Sequence, residues 1–163
     1  TRLQGDWSSD VCSSDLLNNP KARRDYHILE VFEAGIALRG TEVKSIRAGR
    51  AQITDAFARV ENGQVWLYNV HIEEYSHGNI HNHLPKEKRR LLLHKAEIRK
   101  LFGLASVKGH TLIPLSFYWK NNRVKLALAV GKGKVDFDKR EDLKRRDADR
   151  EMQRALQRNT RSR

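Results

Sequence analysis

Two hairpin signals limit what this chain can become. Thr111–Trp119 and Arg123–Val130 both read as strands, and the residues KNN between them read as the turn that joins them. Earlier, ENG at 61–63 places Asn62-Gly63, a pair suited to a type I′ turn, between two alternating runs, Gln52–Val60 and Val65–Ile72. Tyr26–Glu33 alternates as another strand, Gly35 permits a turn, and Ile36–Arg39 reads as the strand that follows. Short strands closed by tight turns pair antiparallel with their sequence neighbours.

Two helices interrupt the strands. Thr41 is placed to cap the first, Val43 and Ile46 stand three apart, and Gly49 stops it after about two turns. The second covers Leu91–Leu104, with Leu91, Ile98 and Phe102 near one stripe and Gly103 and Gly109 bracketing its end. Between strands and helix runs SHGNIHNHLPKEKRR, polar and loop-like. A mainly β pattern of about six strands with flanking helices predicts a small closed or partly closed antiparallel barrel of the OB-fold type. The barrel is expected over 17–131 and a basic tail over 132–163. Residues 1–16 are set aside: Asp6–Leu16, DWSSDVCSSDL, reads like the translation of a sequencing-adapter oligonucleotide.

Charge narrows the function. Lys and Arg number 32 against 20 Asp and Glu, a net +12, which favours polyanions and above all nucleic acid. The cations cluster in KARR at 21–24, in KEKRR at 86–90 and in the tail, where 131–163 holds 12 Lys or Arg against 7 Asp or Glu. Each contact to a phosphate releases counterions, so binding should weaken steeply with salt. Tyr26, Tyr118, Trp119 and Phe137 stand beside cations, a pairing that suits base stacking. The strand rings also suit a core; Phe137 has no apolar neighbours and suits exposure. No run of 18 apolar residues offers a membrane span, one cysteine excludes an internal disulfide framework, and no secretory signal is visible, so a cytoplasmic protein is expected.

The segment GKGKVDFDKREDLKRRDADR, 131–150, cannot build a core. It holds good helix formers and charges at helical spacing, such as Glu141 and Arg145. An unpacked helix is marginal in water, so the tail is expected to be disordered when free and helical along a polyanion.

Catalytic constellations are weak. His77, His81 and His83 form H-x3-H-x-H, but no cysteine or well-placed carboxylate completes a zinc site. Ser45, Ser76, Ser106 and Ser116 lack a G-x-S-x-G setting, and GKGK at 131–134 lacks the rest of a phosphate loop. The expectation is a binding protein without cofactor or metal.

Five stretches together, NPKARRDY, FEAGIALRGTEVKSIRAG, KRRLLLHKAEI, LSFYWKNNRVKL and GKGKVDFDKR, resemble in order and spacing the small protein B family, the SsrA-binding proteins of bacterial trans-translation. The resemblance spans about Asn19 to Arg158. It implies an OB-type barrel that binds the tRNA-like end of transfer-messenger RNA and enters stalled ribosomes. Elongation factor Tu is the implied companion in the delivery complex. The RNA face it implies comprises Asn19, Lys21, Arg23 and Tyr26, then Glu42, Lys44 and Ser45, then Lys120 and Asn121. In the tail it implies a hinge at Lys132, Gly133 and Lys134, a stacking aromatic at Phe137, and an essential triplet at Asp138, Lys139 and Arg140 that senses the empty mRNA channel and decoding centre. Pro20 and Val135 stand where the family commonly has basic residues, and Arg24 where histidine is frequent. The competing readings are a general OB-fold RNA-binding or ribosomal protein, and a basic nuclease, for which no carboxylate cluster is present in the sequence.

Overall fold

Both hairpin turns form as their residues dictate. The computed structural model describes residues 15–161. Asn62 and Gly63 hold φ of 50° and 70°, and Asn121 and Asn122 hold 51° and 57°. Each two-residue loop thus takes the positive-φ pair of a type I′ turn, whose twist matches the strands it joins.

In chain order the elements are β1 (Asp15–Asn18), α1 (Pro20–Asp25), β2 (Tyr26–Ile36), α2 (Gly40–Arg47), β3 (Ala51–Gln52), β4 (Phe57–Glu61), β5 (Gln64–Tyr68), β6 (His71–Ile72), β7 (Arg89–Leu92), α3 (Lys95–Ala105), β8 (His110–Lys120), β9 (Arg123–Gly133) and α4 (Asp136–Arg161). Six strands form a ring in the order β8, β4, β5, β7, β2, β9, with β9 pairing back onto β8. Every pairing is antiparallel. β1 adds to β8 outside the ring, and β3 pairs with β6 as a separate ribbon. This is the expected mainly β architecture with flanking helices.

The inside of the ring is apolar. Phe117, Leu126, Leu128, Val130, Leu67 and Leu112 fill it, and Ile46 of α2 and Leu101 of α3 close it from outside. Strand alternation sends these residues inward and their neighbours outward. A second small cluster, Ala22, Ile113, Leu115 and Ala129, seats α1 on β8 and β9.

Several elements differ from the sequence expectation. Tyr26–Ile36 is one strand of 11 residues rather than two strands about a turn. Gly35 stays extended because β7 crosses close by: a Cβ there would stand 3.2 Å from Leu92 Cβ. The run Gln52–Val60 breaks into β3 and β4, and Val65–Ile72 breaks at Asn69, where φ is 58°. Arg89–Leu92 is a strand and not the start of a helix; α3 begins at Lys95, where His94 and Glu97 form a capping box. The apolar pair Leu91-Leu92 could not reveal its period over so short a run. β1 begins inside the stretch that was set aside, with Leu16 and Leu17 packed on the core; residues 1–14 lie outside the described residues.

Candidate nucleic-acid interface

α1 exists because of one side chain. Asn19 caps it by accepting from the Ala22 amide at 3.2 Å, and Pro20 opens the helix. The Asn19 amide also donates to the carbonyls of Pro114 (3.0 Å) and Ile53 (3.3 Å), so the helix is pinned to β8 and to the loop before β4. Asn19 is itself buried. On the outer side, Lys21 reaches Asp55 at 2.8 Å, and that bond and charge hold its ammonium above the ordinary 10.5. Both partners are well exposed, so a phosphate could take the place of Asp55 at little cost. Arg23 is exposed, and Tyr26 is half-buried against the second cluster.

α2 is held by a buried ion pair. Glu42 accepts from the Arg39 amide at 2.7 Å and from Arg89 Nε at 2.8 Å. Arg89 donates its remaining hydrogens to the carbonyls of Val70, Glu87, Leu84 and Pro85, at 2.6–3.3 Å. The guanidinium fork therefore joins α2, the turn between β5 and β6 and the loop before β7 in one knot. His83 ties the same loop down: its Nδ1 faces Thr41 Oγ1 at 3.1 Å and its Nε2 faces the Ile72 carbonyl at 3.1 Å. Ser45 is buried with an unpartnered hydroxyl. Lys44 and Arg47 are the exposed cations of this helix, Lys44 over the Tyr75 ring at 5.1 Å and Arg47 over Trp119 at 4.5 Å.

The β8–β9 hairpin presents the third group. Lys120 Nζ and Tyr118 Oη both donate to Glu33 Oε2 at 2.8 Å. Burial alone would raise the Glu33 carboxyl, but the bonds from Lys120 and Tyr118 outweigh it and hold it below its ordinary 4.5. Burial and the Glu33 carboxylate push the Tyr118 hydroxyl up. Because the folded value lies below the unfolded one, this tether stabilises fully above the ordinary carboxylate range and fades as pH falls through the folded value. Replacing Glu33 with Gln should flatten the part of the stability-against-pH curve that lies below about pH 4.5, measured by urea unfolding across that range.

The tail leaves the body beside α1. Gly133 pairs with Tyr26 across β9 and β2, and the Lys134 amide donates to the Asp25 carbonyl at 2.9 Å. The Lys134 ammonium is almost wholly covered: it bonds Asp142 and the Arg23 carbonyl, the latter at 3.2 Å. Its bond holds the Asp142 carboxyl below its ordinary range. Arg146 reaches the same carbonyl at 3.4 Å. Both cations thus sit at the C-terminal end of α1, where the helix dipole favours them. Asp138 lies 3.4 Å from His27 Nε2. Beyond Asp142, α4 is exposed along its length through Arg158.

The SmpB protein family model matches residues 16–158. The SsrA-binding protein of Carboxydothermus hydrogenoformans is 57% identical over 141 residues, 86% of this chain and 95% of that protein. The chain belongs to the SmpB family. The SsrA-binding protein of Bacillus subtilis is 53% identical over 86% of this chain and 90% of its own length. A solved structure described as "tmRNA-SmpB: a journey to the center of the bacterial ribosome" is similar at a TM-score of 0.63 and 49% identity, over 74% of this chain and 85% of that one.

The residues singled out from the family resemblance fall into two kinds. Lys21, Arg23, Lys44, Lys120 and Asn121 have surface that an RNA could touch, and Tyr26 is partly open. Asn19, Glu42 and Ser45 do not: they are 3%, 3% and 1% exposed. Asn19 shapes α1 and Glu42 anchors α2, the elements that carry the exposed cations. The Glu42 oxygens are taken by Arg89 and the Arg39 amide. In the tail, Lys132, Gly133 and Arg140 are exposed, Asp138 and Lys139 are half-exposed, and Lys134 is engaged with the body. Phe137 lies in the first turn of α4, with its side chain outside the described residues. Arg89 and His83 carry the architecture of the site without having been foreseen. Arg89 was hidden within KEKRR, where it looked like one more solvated cation. Among the described residues, no helix is long and apolar enough to cross a membrane.

Proposed function

We propose that this chain binds the tRNA-like end of transfer-messenger RNA and delivers it to stalled ribosomes for trans-translation. The observation that carries the reading is the family match across 16–158, joined to relatives named for binding SsrA. The geometry supplies the means. Lys21, Arg23 and Lys44 stand on helices anchored by buried polar side chains, and Lys120 on a tight hairpin, so they meet a folded RNA with little ordering cost. The triplet Asp138, Lys139 and Arg140 stands in the first turns of α4, with Asp138 beside His27 of the body, and the helix beyond Asp142 is exposed. Its distal turns bury no face, so its helix is marginal in the free chain and is fixed when it lies along ribosomal RNA in the empty mRNA channel and decoding centre. The chain works by binding and makes no bond; elongation factor Tu joins it in the delivery complex, in the cytoplasm.

Two measurements test this. The chain, used as bait in a bacterial lysate, should enrich transfer-messenger RNA above all other transcripts when the bound RNA is sequenced. Lys44→Ala and Lys120→Ala should each weaken binding to the tRNA-like fragment, and each should reduce the slope of log affinity against log salt by about 0.9 if the lysine meets a phosphate. Unchanged slopes in both variants would remove these lysines from the RNA face.

A further inference from the structure

The outer wall of β4, β5 and β7 has no part in the contacts described so far, and its composition is unusual for a solvated sheet face. Register places Phe57 opposite Tyr68, Arg59 opposite Trp66, and Trp66 opposite Arg90. Phe57, Trp66 and Tyr68 alternate with the buried Ala58, Val65 and Leu67, so all three rings point outward and are partly open. Phe57 and Tyr68 stack at 5.4 Å with 13° between their planes. Arg59 lies over Phe57 at 5.3 Å, and Lys88 over Trp66 at 4.9 Å. Arg59, Lys88 and Arg90 are exposed. The near acid, Glu61, accepts from Tyr68 Oη at 2.8 Å, which fixes the ring and blunts the charge.

Cross-strand packing accounts for the Phe57–Tyr68 pair alone. It does not account for a third ring in the next row, nor for the exposed cations over Phe57 and Trp66. Partly open rings interleaved with Arg and Lys form the surface on which successive bases stack while the backbone meets positive charge.

We infer that this wall is a second RNA site, one that takes a short single-stranded stretch by stacking and that acts apart from the face holding Lys44 and Lys120. The ring order supports the separation for β5 and β7: β5 lies across the ring from β9 and β7 across it from β8, while β4 is the neighbour of β8. A folded RNA held at the β8–β9 hairpin therefore leaves the β5–β7 part of the wall, with Trp66, Lys88 and Arg90, free for an unpaired segment of the same RNA.

The test uses the full chain and a fluorescently labelled unstructured 12-nucleotide RNA, with and without saturating tRNA-like fragment. The intact protein should bind the oligonucleotide in both conditions. Trp66→Leu should weaken that binding about tenfold, the effect of losing one stacked base. Arg59→Ala combined with Arg90→Ala, surface changes that spare the core, should lower its salt slope by about 1.4. Neither variant should change affinity for the tRNA-like fragment. Oligonucleotide binding equal to the parent in both variants would overturn the inference, as would complete displacement by the saturating fragment. Failure of the parent to bind the tRNA-like fragment would count against the proposed function instead, leaving the oligonucleotide result to be read alone.

Discussion

A chain cut after Gly133 should bind the tRNA-like end of transfer-messenger RNA nearly as well as the intact protein and should fail to support peptide tagging on stalled ribosomes. The cut belongs there and not at Gly131, because Gly131, Lys132 and Gly133 pair with Ile28, His27 and Tyr26 and close the ring. The removed segment contributes no core residue; Leu143, Met152 and Leu156 are all exposed. The body should therefore keep its fold, and Lys21, Lys44 and Lys120 should keep their places. Alanines at Asp138, Lys139 and Arg140 together should reproduce the tagging loss with the tail length unchanged. Tagging is read by mass spectrometry of stalled nascent chains in a reconstituted translation system, and binding by the mobility of the labelled RNA fragment. A truncated chain that loses RNA binding as completely as tagging would overturn the division of labour between body and tail.

The largest stability effect is expected at Arg89. Replacing it with alanine leaves Glu42 charged and buried and strips four carbonyls of their donor. Removing one partner of such a pair costs about 3–5 kcal/mol, a large share of a small domain's total. Urea unfolding should show a much lower midpoint. Lysine at this position keeps the charge but not the fork; three donors on one nitrogen cannot span carbonyls on several sides, so Arg89→Lys should remain clearly destabilised. A double change of Arg89 and Glu42 to apolar residues should recover only part of the loss, because the carbonyls stay unanswered. A midpoint within error of the parent for Arg89→Ala would show that water replaces the guanidinium at no cost. The same variant should weaken binding to the tRNA-like fragment, since α2 and Lys44 depend on the anchor.

Much of this was legible from local chemistry, and the failures have a common cause. Asn62-Gly63 and the KNN turn forecast their hairpins because a type I′ turn needs positive φ, and asparagine and glycine supply it. Gly35 misled for the same reason: its freedom suggested a turn, whereas the fold uses its missing side chain to let β7 approach. Asn19-Pro20 was a readable helix start that charge obscured, since KARR drew attention to its cations and away from its cap. At Glu42 and Arg89 the sequence offered two surface-like charges 47 positions apart. Only the closing of β7 onto β2 and β5 brings them together and buries them, and no local pattern encodes a pairing of that range. The open surface of Lys21, Lys44 and Lys120 was legible because exposure is what lysine ordinarily does; the burial of Asn19, Glu42 and Ser45 was not, because polar residues are ordinarily exposed too.

The pairing of Tyr26 with Gly133 has a geometric consequence. The helix offered to the ligand ends one residue before that rung and the charged rod begins three residues after it, so the two are handle and blade of one tool. Turning the gripped RNA by a few degrees swings the far tip of a 26-residue rod, about 39 Å long at 1.5 Å per residue, through several ångströms. A single residue inserted into β9 before that rung would reverse the pleat and aim the rod elsewhere, with every charge on it retained.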